Sequence, residues 1–85
     1  MKAIEWKPKA TKQLKKIGDR SIQKRIINAV AELKTFPETA NTKTLTNHKY
    51  NHRLRVGNWR VLFNAEDYVE IVTIEEVKKR DERTY

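Results

Sequence analysis

The chain has 85 residues and carries 19 Lys and Arg against 11 Asp and Glu, for a net charge of +8. That length allows one small domain, which buries about 60–65% of its unfolded surface, so a dinucleotide-binding unit or a TIM barrel is excluded. The basic balance points to an anionic partner. The absence of cysteine excludes a Cys nucleophile and a Cys-ligated metal, and fits a reducing compartment. No run of about 18 apolar residues exists, and the start, Met1 to Trp6, lacks the apolar stretch of a secretion signal. The expectation is a cytoplasmic protein without a membrane partner.

From Lys2 to Trp6 the pattern alternates, with Ile4 and Trp6 on one side of a short strand and Ala3 and Glu5 on the other. Pro8 suits the first turn of a helix. Residues 8–17 read as that helix, with Ala10, Leu14 and Ile17 at helical spacing and Lys9, Lys12, Lys15 and Lys16 around them. Gly18 is a good stop, and Asp19 or Ser21 can cap a second helix. Residues 20–35 form the strongest amphipathic pattern, with Ile22, Ile26, Ala29, Val30 and Leu33 on one stripe. Phe36-Pro37 ends it, because a residue before proline avoids the helical region. The two segments make a helical hairpin or one longer, bent helix.

Residues 37–49 are polar and read as a loop, with a short extended piece at Lys43-Thr44-Leu45. The period then becomes two. Tyr50, His52, Leu54 and Val56 alternate with Asn51, Arg53 and Arg55. Gly57-Asn58 is a two-residue hairpin turn. Trp59, Val61 and Phe63 alternate with Arg60, Leu62 and Asn64. Glu66-Asp67 makes a second turn, and Tyr68 to Ile74 reads as a central strand buried on both faces. Residues 75–85 read as a charged tail. The expected fold is a single α+β domain over 1–85: an N-terminal strand, a helical hairpin and a three-stranded antiparallel meander, with the helices on one face of the sheet.

The alternation gathers Arg53, Arg55 and Arg60 on the sheet face away from the helices. Like charges facing each other across strands cost stability. Such a cluster either receives an anion or consists of ordinary solvent-facing arginines paired with Glu66, Glu70 or Glu75. The C-terminal run adds Lys78, Lys79, Arg80, Arg83 and Tyr85, and a tyrosine can stack on a base or move a proton; a solvated chain end is the plainer reading. His48 and His52 lack a third ligand nearby, so no metal is expected. Two isolated glycines exclude a phosphate-cradling loop. The charge is uneven: nine cations less two acids give +7 over residues 1–25, three less two give +1 over 26–50, and seven less seven give zero over 51–85. The excess at the front fits a docking face that includes Lys9, Lys12 and Lys16, or a solvated helix surface.

The segment Tyr50-Asn51-His52-Arg53-Leu54-Arg55-Val56-Gly57-Asn58-Trp59-Arg60-Val61-Leu62-Phe63 resembles the hairpin of the RelE/ParE superfamily, the toxins of bacterial type II toxin–antitoxin modules. The closing run from Val77 to Tyr85 is similar to that superfamily's basic, Tyr-containing end. For RelE-like members the resemblance implies an endoribonuclease that works without metal or cofactor. It enters the ribosomal A site and cuts mRNA by attack of a 2′-hydroxyl on the adjacent phosphate. It then implies that Arg60 holds the scissile phosphate, Arg53 stabilises the transition state, Arg80 acts at the leaving group and Tyr85 stacks on or deprotonates the attacking nucleotide. Arg55, Lys78, Lys79 and Arg83, with Lys9, Lys12 and Lys16, would bind RNA. Asn51 stands where the family has a second strand lysine, and Arg53 stands in place of a lysine. The implied partners are an acidic cognate antitoxin wrapped on the basic surface, the 70S ribosome with mRNA in its A site, and operator DNA for a higher toxin–antitoxin assembly. The alternatives are a ParE-like inhibitor of DNA gyrase without nuclease chemistry, and a nucleic-acid-binding module without enzymatic activity.

Overall fold

The computed structural model describes residues 1–66 and 68–80. In chain order these form β1 (Ala3–Trp6), α1 (Pro8–Lys15), α2 (Arg20–Ala31), a 3₁₀ turn (Glu32–Thr35), β2 (Thr42–Thr44), β3 (His52–Val56), β4 (Trp59–Ala65) and β5 (Ile71–Lys79).

The helices form a hairpin, and the residues between them show why. Asp19 caps α2: its Oδ1 accepts from the backbone N–H of Ser21 at 2.8 Å and of Ile22 at 3.2 Å. These donors, with the Ser21 hydroxyl first, hold the Asp19 carboxyl below its ordinary value. The Gln23 side chain reaches back from α2 and donates to the carbonyls of Leu14 and Ile17 at the end of α1, tying the two helices together. The α-helical part of the second segment stops at Ala31 and tightens into the 3₁₀ turn before Phe36.

The sheet has five strands in the order β1-β5-β4-β3-β2. The meander β3-β4-β5 is antiparallel, β2 adds an antiparallel edge, and β1 lies parallel to β5. Both helices cover one face. There Ala10, Ile17, Ile26, Val30 and Leu33 meet Leu54, Val56, Val61, Phe63, Ala65, Val72, Ile74 and Val77. The rings of Phe63, Phe36 and His52 form a three-way cluster: Phe36 is edge-on to Phe63 at 5.4 Å, His52 stacks on Phe63 at 5.3 Å, and Phe36 meets His52 at 4.8 Å. Buried Lys2 holds the β4–β5 connection by donating from Nζ to the carbonyls of Glu66 at 2.9 Å and Val69 at 2.7 Å.

Three sequence expectations change. The central strand does not run over 68–74: β5 starts at Ile71 and continues through Glu75–Lys79, which had read as tail. Those residues pair with β4, and pairing with a neighbour sets a strand's length more than its own propensity does. Tyr50 does not belong with His52, Leu54 and Val56 on the helix-covered face. It precedes β3, and its hydroxyl meets Glu76 instead. The third change is a β-bulge. Leu62 pairs with Glu76 and Phe63 with Ile74, so Glu75 stands unpaired between them. A bulge inserts one residue and shifts the alternation by one. Val72 and Ile74 face the core before it, and Val77 faces the core after it. Glu76 and Lys78 are thereby turned to the opposite face.

Candidate nucleic-acid interface

The face away from the helices is built in rows across the strands. In one row Arg55 stands opposite Arg60, and Arg60 opposite Lys78. In the next, Lys43 pairs with Arg53, Arg53 with Leu62, and Leu62 with Glu76. Three cations in one row and two in the next therefore lie beside the carboxylate of Glu76. The turn at Gly57, where φ is +57°, joins β3 to β4 and fixes the register of both rows. The guanidinium of Arg25, on α2, lies against this turn; a Cβ at Gly57 would come within 3.4 Å of it.

This face is not a bare solvated surface. Leu62 is 1% exposed and Arg60 only 3%. Arg60 donates from Nη1 to the carbonyls of Gly57 at 3.2 Å and Trp59 at 3.0 Å, so its side chain is aimed at the β3–β4 turn. Glu76 is 5% exposed and Tyr50 7%. Glu76 Oε1 lies 3.3 Å from Lys9 Nζ and 3.4 Å from Lys78 Nζ, and Gln13 Nε2 donates to it at 3.5 Å. The Tyr50 hydroxyl also donates to this carboxylate. Burial pushes the Glu76 carboxyl up, but bonds from Tyr50, Lys9 and Gln13 and the charge of Lys78 outweigh it and leave it below its ordinary value. Burial, then the bond to Glu76, pushes the Tyr50 phenol up. So near neutral pH the glutamate is ionised and the tyrosine keeps its proton.

Gln13 has a second task. Its Oε1 accepts the Val77 N–H at 2.7 Å, on the stretch of β5 beyond the last residue paired with β1. One glutamine from α1 thus satisfies the free strand edge and touches the carboxylate. On the opposite flank, Asn64 accepts the Asn51 N–H at 2.8 Å and donates to Glu75 at 3.1 Å, which fixes the approach to β3 beside the bulge.

Among the sequence-derived candidates, Arg53, Arg55, Arg60 and Lys78 share this face. Lys9 joins them by reaching round β5 from α1. Lys12 lies three residues further along α1 and Lys16 directly after its end, and both are exposed. Arg80 comes directly after β5, and its backbone N–H donates to the Asn58 carbonyl at 2.6 Å, next to the turn that Arg60 addresses. Lys79 pairs with Trp59 and so occupies the other alternation phase from Lys78. Arg83 and Tyr85 lie outside the described residues. The sequence reading missed Tyr50, Gln13 and Glu76. One signal was available for Glu76: the apolar positions run Val72, Ile74, Val77, a one-residue slip in a period of two. Nothing local marked Tyr50 or Gln13.

Among the described residues no three His, Asp or Glu side chains gather as metal ligands, and no helix is long and apolar enough to cross a membrane. His48 accepts the Tyr50 N–H at Nδ1, at 3.1 Å, and the His52 ring packs against both Phe36 and Phe63.

A small mixed sheet covered on one face by a helical hairpin is a fold that this chain shares with chains of solved toxin–antitoxin complexes. A chain of the toxin–antitoxin complex RelBE2 from Mycobacterium tuberculosis superposes with a TM-score of 0.76 at 18% identity, covering 93% of this chain and 98% of that one. The archaeal RelE-RelB complex from Pyrococcus horikoshii gives 0.77 at 17% identity, with 95% and 97% covered. The RelB-RelE complex from Methanococcus jannaschii gives 0.72 at 20% identity, with 89% of each chain covered. At these identities the likeness establishes the fold. A sequence comparison with curated proteins finds no match. The family described as ParE toxin of type II toxin-antitoxin system, parDE, matches residues 4–83, and the chain belongs to it: it is a type II toxin of the RelE/ParE superfamily.

Proposed function

We propose that this toxin is a ribosome-dependent endoribonuclease that cleaves mRNA in the A site. The observation that carries the reading is the row Arg55, Arg60, Lys78 with Arg53 one row away, a cluster of cations on a rigid sheet. In the reaction the 2′-oxygen bonds to phosphorus and the bond from phosphorus to the 5′-oxygen breaks. The products are a 2′,3′-cyclic phosphate and a 5′-hydroxyl; one proton leaves the 2′-hydroxyl and one reaches the 5′-oxygen. Negative charge grows on the phosphoryl oxygens, and fixed cations lower its energy more than mobile ones. Arg60 holds the scissile phosphate, and Arg53 stabilises the pentavalent phosphorus, each through a charged guanidinium. Arg80 acts at the leaving oxygen, and Tyr85 supplies a stacking surface or a proton acceptor. Arg55, Lys78, Lys79 and Arg83 steer the strand. Lys9, Lys12 and Lys16 extend the docking surface along α1. The partner that silences the toxin is an acidic antitoxin segment; the three similar structures are all complexes with an antitoxin. The toxin acts in the cytoplasm, on the 70S ribosome, and assembles with its antitoxin on operator DNA.

A second reading is inhibition of DNA gyrase, favoured by the ParE description of the matching family. Expression in cells, with primer extension on a reporter mRNA, separates the two. Translation-dependent cuts within codons support cleavage. Intact mRNA with gyrase-linked DNA damage rejects it in favour of the second reading.

A further inference from the structure

We propose that Glu76 is the internal counter-ion of the phosphate-binding face, a positioning residue that holds Lys78 in the free toxin and yields it to an RNA phosphate. This rests on the reading of that face as an RNA site. A carboxylate amid cations that bind phosphate opposes the binding unless it does something for them. Glu76 faces the cations only because the bulge at Glu75 shifts the phase of β5. It is 5% exposed, yet the groups around it keep it ionised.

The distribution of its partners is unequal. Lys9, Lys78 and Gln13 all converge on one oxygen, Oε1. Two ammonium groups thus share one oxygen, so neither is fully neutralised. The side chains of Lys9 and Lys78 are 59% and 46% exposed. Half-exposed pairs of this kind are weak and exchange readily. Tyr50 is different: the residue is 7% exposed, and burial with the bond to Glu76 pushes its phenol up, so its proton is retained. The carboxylate therefore has a permanent partner, Tyr50, and exchangeable ones, the lysines. Lys78 stands directly across from Arg60. A phosphodiester seated over Arg60 meets Lys78 within the same row. When Lys78 turns to that phosphate, Tyr50, Gln13 and Lys9 still hold Glu76 in place. Before RNA arrives, Glu76 keeps Lys78 folded onto the sheet and weakens the mutual repulsion of Arg60 and Lys78 across β4 and β5.

The test uses the full chain and a short single-stranded 2′-O-methyl RNA, which binds but has no 2′-hydroxyl to react. Glu76→Gln keeps an acceptor for Tyr50 and removes the charge. Expected is RNA binding tighter by up to about fivefold at low salt. The plot of log affinity against log salt should steepen by about 0.7, because Lys9, which Glu76 still holds when RNA is bound to the wild type, becomes free to meet a phosphate. Lys78→Gln should weaken binding and flatten the slope by about 0.7. A structural prop alone predicts the reverse for Glu76→Gln: weaker binding at an unchanged slope. Wild-type protein offers an independent measurement, in case the Gln variant does not fold. The Glu76 carboxyl, followed by NMR through a pH titration, should titrate higher with RNA bound, because it has lost Lys78. An unchanged titration, or a Gln variant with the wild-type slope and affinity, overturns the counter-ion role while leaving the RNA site standing. Wild-type protein that binds the RNA with no salt dependence overturns both.

Discussion

The two faces of the sheet are made by the same strands and do opposite things. Under the helices, Val61, Phe63, Val72, Ile74 and Val77 are buried among apolar neighbours. This stabilises the fold through area removed from water, at about 25 cal/mol per Å². On the other face Arg60, Glu76, Tyr50 and Leu62 are also buried, but three of the four are polar and lie outside that cluster. Burying charge costs free energy unless the groups are paired. Placing cations on a rigid sheet is therefore a departure from the cheapest way to fold, which is where function is expected. Side-chain alternation lets one strand serve both purposes, and the bulge lets β5 do so from a sequence that does not alternate cleanly.

The clearest way to separate the faces is to damage each in turn. Phe63→Ala, in the apolar layer, should destabilise the domain by about 3–5 kcal/mol, read by urea denaturation. A loss below about 1 kcal/mol would mean that the ring cluster of Phe63, Phe36 and His52 is not a packing anchor. Arg60→Ala, on the basic layer, should slow mRNA cleavage by roughly 100- to 1000-fold in a ribosome assay. It should also cost about 1–2 kcal/mol of stability, because the Gly57 and Trp59 carbonyls lose a donor. Cleavage at the wild-type rate would remove Arg60 from the site. Arg60→Lys keeps the charge but loses the planar fork, and should recover stability more than rate.

Smaller effects probe the seam where α1 meets β5. Gln13→Ala strands the Val77 N–H at the strand edge and should cost about 1–2 kcal/mol, with the charge of the face unchanged. Thermal unfolding and a cleavage assay on the same sample would show whether the seam is structural alone. Last is pH. The Glu76 carboxyl titrates below its ordinary value of 4.5 in the folded protein, so its contribution is complete above that value and fades as pH falls through the lower, folded one. Wild-type stability should therefore drop more steeply than that of Glu76→Gln as pH is lowered below about 4.5. Parallel curves would mean the carboxylate is not preferentially stabilised in the fold.

Much of this architecture was legible in the chain. The stripe of Ile22, Ile26, Ala29, Val30 and Leu33 fixed the second helix, and Gly57-Asn58 fixed the central hairpin, because both signals are local. The alternation around that turn placed Arg53, Arg55 and Arg60 together for the same reason. The RelE/ParE resemblance of the hairpin agreed with the fold and with the family match. What escaped the sequence was non-local. Glu75 to Lys79 looked like tail because their charges outweigh their strand propensity until β4 supplies the ladder. Tyr50 continued the alternation on paper but left the strand in space.

The order of elements, the helix-covered face and three of the cations were thus set by the amino-acid pattern alone, since each arises from periodicity within one or two elements. The charge of +8 is concentrated at the front of the chain, in residues 1–25, whose α1 sends Lys9 to the sheet. Three features needed the folded domain: the parallel seat of β1 beside β5, the bulge that turns Glu76 and Lys78 outward, and the meeting of Tyr50, Lys9 and Gln13 on one carboxylate. Those depend on register between strands and on a helix packed across a sheet edge. Residues more than sixty positions apart, such as Gln13 and Glu76, become neighbours only when the whole domain closes.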